Sequence, residues 1–173
     1  MGTHRSEFTY NGASQRTRIV EKENGATIRD AQLVWDGTAI IEERLATGEV
    51  NRFFSDGEQH NGIARYLTRD HLGSIREVTD SAGTVVTRND YDPYGRLTRI
   101  AGSEDSRFRF TGHLAHTPSG LALAPYRAYD PTFGRWLSND PARYVDGPNL
   151  MRTSGTGHPR CMNRSGCSCR PSR

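Results

Sequence analysis

The side chains best suited to chemistry gather near the C-terminus. Cys161, Cys167 and Cys169 are the only cysteines, and His158 lies just before them. Three thiolates and an imidazole could close a tetrahedral zinc site, but C-x5-C-x-C matches neither the usual zinc spacings nor an even disulfide framework. Unpaired thiols in an irregular end are expected. A Cys–His nucleophile pair needs near-attack geometry, which a stretch without periodicity cannot hold. His113 and His116 repeat at helix-like spacing. No further ligands can be placed beside them, so hydrogen-bonded or solvated imidazoles are expected rather than a metal pair. No G-x-S-x-G elbow, H-E-x-x-H helix or phosphate-cradling glycine loop occurs. The residues call for no metal and no cofactor.

The elements that must position any site are short. Only 34% of the 173 residues are hydrophobic, with 18 Gly and 8 Pro, a balance that suits strands joined by tight turns better than a helical core. No apolar run reaches the length of a membrane span. The N-terminal M-G-T-H-R-S-E-F lacks the apolar centre of a signal peptide and reads as an internal start. The formal charge of +3 is uneven. Arg152, Arg160, Arg164, Arg170 and Arg173 fall in a tail that has no acid. Without those five, 18 basic residues face 20 acidic ones, so the body is near neutral and offers no nucleic-acid-binding surface.

Residues 68–97 show the building rule most clearly. Asp70 to Gly73 is a turn, Ile75 to Thr79 alternates as a strand, and Asp80-Ser81-Ala82-Gly83 turns again. Thr84 to Arg88 returns, and Tyr91-Asp92-Pro93-Tyr94-Gly95-Arg96 closes the unit. Looser copies precede it. Strands are expected at 18–21, 32–35, 39–44, 50–54 and 64–68. Hairpin turns are expected at 24–25, 46–48 and 80–83. Turn signals recur every 10–12 residues or so, giving roughly one hairpin per 20 residues. Tyr10, Trp35, Phe54, Tyr66 and Tyr91 are expected to pack in the core as a ladder, and the turn Asp and Arg residues to brace neighbouring units. Farther on, R-F-R-F-T-G at 107–112 alternates like a strand, 122–130 reads as a strand pair joined near Pro125, and 133–138 is compact and apolar. The fold class is therefore all-β, built of repetitive antiparallel hairpins. The aperiodic tail, 151–173, is expected to be disordered.

The ordered motifs also carry a resemblance. D-H-L-G-S-I-R-E-V-T-D-S-A-G (70–83) and Y-D-P-Y-G-R-L (91–97) resemble the junction between YD repeats and the Rhs repeat-associated core. R-F-T-G (109–112), S-G-L-A-L-A-P-Y-R-A-Y-D-P-T-F-G-R-W-L-S-N-D-P (119–141) and D-G-P-N-L (146–150) continue the match in order, over roughly residues 8 to 150. The resemblance implies YD-repeat hairpins over 1–67, a partial core over 68–150 and a divergent tail over 151–173. It also implies a role: a fragment of a hollow β-shell that encapsulates and delivers a C-terminal toxin domain, structural rather than catalytic. The partners implied are the rest of that shell, the toxin domain and secretion machinery. Intact relatives are exported or cell-surface proteins of bacteria; the chain itself gives no localisation.

The same resemblance implies one catalytic candidate. Core domains of such shells resemble aspartyl autoproteases, and Asp140 matches the aspartate of the family motif G-R-W-L-S-x-D-P. Carboxylate hydrolysis needs one group as acid and another as base. The partner lies downstream in relatives, where this chain diverges after Leu150. Asp130 and Asp146 are near in sequence, and neither is assignable to that role. Asn139 replaces the arginine common before the aspartate, which removes a cation that favours the ionised form. The plainer role for Asp140 is a turn cap ahead of Pro141. The abrupt change after Leu150 suggests a frameshifted or truncated reading frame. A cell-surface carbohydrate- or protein-binding β module, as in teneurin relatives, is the remaining alternative.

Overall fold

The computed structural model describes residues 2–139. Ten strands form one antiparallel meander in chain order: β1 (His4–Tyr10), β2 (Arg16–Glu23), β3 (Ala26–Asp36), β4 (Ala39–Leu45), β5 (Val50–Phe54), β6 (Gly57–His60), β7 (Ile63–Arg69), β8 (Ile75–Thr79), β9 (Val85–Tyr91) and β10 (Leu97–Gly102). A return segment, residues 103–113, then runs back across one face of this sheet. It leads into a small second sheet of β11 (Leu114–His116), β12 (Leu121–Leu123), β13 (Ala128–Asp130) and β14 (Arg135–Trp136). The fold is all-β, as the alternation predicts, and pairing runs unbroken from β7 into β8.

The hairpins form because the turns satisfy their own backbone. Asn24-Gly25 and Asn61-Gly62 both take positive φ at the two central residues, the two-residue geometry that matches strand twist. A second corner recurs four times, at Asn11–Gln15, Asp70–Ser74, Asp80–Thr84 and Asp92–Arg96. Its first side chain accepts hydrogen bonds from the N–H groups two and four residues on, each near 2.9 Å. The first residue's own N–H donates to the fifth carbonyl, and the fourth N–H donates back to the first carbonyl. The fourth residue has positive φ and is Gly in three copies and Ser14 in one. The predicted turns at 24–25, 46–48 and 80–83 are all present.

One face of the large sheet is buried. Ile19, Ala31, Leu33, Phe53, Leu67, Ile75 and Val78 lie on it. The small sheet packs Leu114 and Leu123 onto Ile19 and Leu33, and Phe108 of the return segment packs against Leu67, Ile75 and Val78. Burying each such side chain is worth about 1.5–3 kcal/mol. A second core lies beyond the small sheet, where Ala122, Ala124, Tyr129 and Trp136 meet Phe110. Register shifts mark the first three and last three pairings of the large sheet and are absent from the middle three. The sheet therefore twists most at its two flanks.

Several expectations are corrected. Tyr10, Phe54 and Tyr66 are about half exposed or more and form no ladder. The strand period of two sends Phe53 and Leu67 inward and their neighbours outward. R-F-R-F-T-G is not a strand. Phe108 makes one isolated bridge to Leu114, and Phe110–Gly112 is a short 3-10 turn with Thr111 at φ 50°. His113 and His116 lie on no helix. His116 belongs to β11, and three residues of extended chain put the two rings on opposite sides. Strands β1, β6, β10, β11 and β14 have no counterpart in the sequence reading.

Candidate functional site

The chemistry of the buried face is carboxylate. Glu21, Glu43 and Glu58 sit on β2, β4 and β6, each 2% exposed or less. A buried carboxylate is tolerated only when paired and hydrogen-bonded, and here most of the partners come from distant chain. Arg107 of the return segment donates from Nη2 to Glu43 Oε1 (2.7 Å) and from Nε to Oε2 (3.1 Å). Arg29 on β3 donates to Oε1 at 2.6 Å, and Asn51 on β5 donates to Oε2 at 2.9 Å. The Arg107 backbone N–H donates to Glu58 Oε2 (3.1 Å), as does the Ser106 hydroxyl (3.2 Å). His60 Nε2 lies 3.1 Å from Glu58 Oε1, and its Nδ1 lies 2.8 Å from Asn51 Oδ1. The hydrogen bonds form an open chain, Glu58 to Arg107 to Glu43 to Asn51 to His60, and His60 Nε2 makes no hydrogen bond.

Glu21 anchors the other end of the crossing chain. Its Oε1 accepts from His116 Nε2 at 2.6 Å. Its Oε2 accepts from Ser6 (2.6 Å) and from His4 Nε2 (2.8 Å). Burial pushes both Glu21 and Glu43 toward the protonated form. It is outweighed at Glu43 by the Arg107 and Arg29 charges and at Glu21 by hydrogen bonds from Ser6, His116 and His4. Both therefore lie below the usual carboxylate range and are ionised at neutral pH.

A second junction joins the two sheets through like turns. Y-D-P-Y-G-R at 91–96 and Y-D-P-T-F-G-R at 129–135 pack on each other. The Tyr129 hydroxyl donates to Tyr94 O at 2.9 Å, and Arg96 donates to Pro131 O and Thr132 O. Phe110 sits between the Tyr91 and Tyr129 rings. Tyr91 donates its hydroxyl to Ile75 O, and burial pushes that phenol up to about 12. Gly134 lies so close to Tyr94 that a Cβ there would fall 2.7 Å from the ring. Trp136 faces His113 at 5.9 Å, and burial beside Arg127 holds His113 down to about 4.

These contacts make the sheet a receptor for its own return segment. Asp140 and Asp146 lie outside the described residues, as do His158, the three cysteines and the tail. Asp130 spends Oδ1 on the N–H groups of Thr132 and Phe133, which makes it a turn brace. Among the described residues no three His, Cys, Asp or Glu side chains converge as a metal site, and no helix is long and apolar enough to cross a membrane. Sequence reasoning missed Glu21, Glu43 and Glu58. Their one signal is position, since Glu21 follows Ile19 by two residues and shares its face.

A family model described as the teneurin YD-shell matches residues 47–163. The chain belongs to the teneurin YD-shell family. Double-stranded DNA deaminase toxin A of Burkholderia cenocepacia is 24% identical over 86% of this chain and 13% of its own length. Toxin subunit YenC1 of Yersinia entomophaga is 34% identical over 55% of this chain and 10% of its own. A crystal structure of TcdB2-TccC3 without its hypervariable C-terminal region superposes with a TM-score of 0.68 at 22% identity. The match covers 85% of this chain and 8% of that one. At that identity the likeness is one of fold. The chain thus spans about a tenth of the length of the relatives it matches, and it is a shell-type structural module of a toxin-associated family.

Proposed function

We propose that this module is a section of the wall of a hollow β-shell that encloses and delivers a C-terminal toxin domain. Residues 1–67 serve as repeat hairpins and residues 68–150 as the part of the core that closes one end. The return segment carries this reading. It is locked by Glu43 and Glu58 to one face of the meander, which gives the sheet a covered side and an outward side. The names of the matched relatives, a deaminase toxin and a toxin subunit, support it further. The partners are then the adjoining shell and the enclosed domain. In the longer protein, limited proteolysis should spare the enclosed domain until the β-sheet unfolds. Cleavage at the rate of the isolated domain would overturn the reading.

Asp140 is the residue proposed for self-cleavage, on the strength of G-R-W-L-S-N-D-P at 134–141. Carboxylate hydrolysis needs one group as acid and another as base, and Asp130 is spent on its turn. This chain should therefore keep its full mass of 19.3 kDa, unchanged by Asp140→Asn. A discrete C-terminal truncation abolished by Asp140→Asn would make the site live.

A further inference from the structure

One nucleophilic side chain lies in line with the Glu21 anchor and takes no part in the shell. Ser119 occupies the exposed turn between β11 and β12, with its Oγ 2.6 Å from His116 Nδ1. The other ring nitrogen, Nε2, lies 2.6 Å from Glu21 Oε1. The Glu21 carboxylate can only accept, so it fixes the proton on Nε2 and leaves the Nδ1 lone pair facing the serine hydroxyl. Ser6 and His4 hold the carboxylate from its other oxygen. We propose that Ser119, His116 and Glu21 form a nucleophile–base–carboxylate relay that accepts acyl groups from small activated esters.

Two further observations support a reacting site. The Leu121 N–H donates to Ser119 Oγ at 3.3 Å, which favours negative charge on that oxygen. A cavity of about 280 Å³ beside the relay is lined by His116, Thr117, Gly120 and Leu121, chain neighbours of Ser119, and by Tyr91 and Phe110. In the reaction Ser119 Oγ bonds to the ester carbonyl carbon while its proton passes to His116 Nδ1. The bond from that carbon to the alkoxy oxygen then breaks, and the imidazolium returns the proton to the departing alcohol. Water, activated by the same nitrogen, releases the acid and regenerates the serine.

The test is labelling of the full chain with an alkyl fluorophosphonate, followed by peptide mass mapping. One adduct is expected, on Ser119, formed at least about 100-fold faster than on an unassisted serine. Ser119→Ala, a change on an exposed turn, should abolish it with an unaltered circular dichroism spectrum. The labelling rate should rise with pH, as a base that must lose its proton requires. Absence of an adduct on folded protein, an adduct at another residue, or a rate independent of pH would overturn the proposal.

Discussion

Arg107→Met tests whether the buried carboxylates hold the return segment. The change removes two hydrogen bonds to Glu43 and keeps only the apolar stem of the side chain. Taking one partner from a buried ion pair costs about 3–5 kcal/mol. Glu43, 0% exposed, keeps Arg29 at 2.6 Å and Asn51 at 2.9 Å, so the loss should fall at the lower end, about 3 kcal/mol. For a chain of this size that is roughly 10 °C in Tm. Arg107→Lys keeps the charge without the two-pronged geometry and should lose about half as much. Urea unfolding followed by tryptophan fluorescence gives the totals, and amide exchange gives their location. Exchange should rise in 106–116 well before β4 and β5. Glu43 adds a pH arm: its folded pKa lies below the ordinary 4.5, so its contribution is present above that value and fades as pH falls through the folded pKa. Arg107→Met should move the acid release of the segment to higher pH. A loss under about 0.5 kcal/mol, or exchange rising equally in sheet and segment, would refute the clamp.

Four smaller predictions follow from the turns and from His113. Asp80→Ala strips two acceptor bonds from an exposed corner and should cost about 1 kcal/mol in urea melts. Gly95→Ala should cost well over twice that, because its φ is +87° and its Cβ would lie within 2.4 Å of the Phe110 ring. Gly83→Ala, strained in φ with open space around it, should fall between. The His113 imidazole should titrate near 4 by NMR. Since that folded pKa is below the ordinary 6.5, the neutral ring supports the fold above about pH 6.5, and that support declines as the pH drops toward 4.

The strands were legible because alternation and turn chemistry are local. Asp80 to Thr84 carries its whole hydrogen-bond pattern within five residues, and Asn24-Gly25 needs only two. Facing is less local. Phe53-Phe54 and Tyr66-Leu67 each offer two apolar neighbours, and only the pairing of Phe53 with Glu58 and of Leu67 with Val78 settles which one turns inward. The buried glutamates were hidden for a related reason. Glu43 sits in I-I-E-E-R, which reads as solvated until a guanidinium 64 residues away closes on it. R-F-R-F-T-G alternates well enough for a strand, yet its backbone bonds to Ser74 and Ile75 across the face of the sheet instead of along an edge.

The corner shared by Asn11–Gln15, Asp70–Ser74, Asp80–Thr84 and Asp92–Arg96 has a consequence for how such a sheet can change in size. Each corner completes its own turn hydrogen bonds from its own five residues. A hairpin can therefore be duplicated or deleted as a whole without leaving a donor or acceptor stranded at the seam, provided that the strand period of two is kept. An even-numbered change preserves which side chains face the interior, whereas a single-residue slip within a strand turns that face out. Length becomes a variable that selection can adjust in hairpin-sized steps while the corners stay the same.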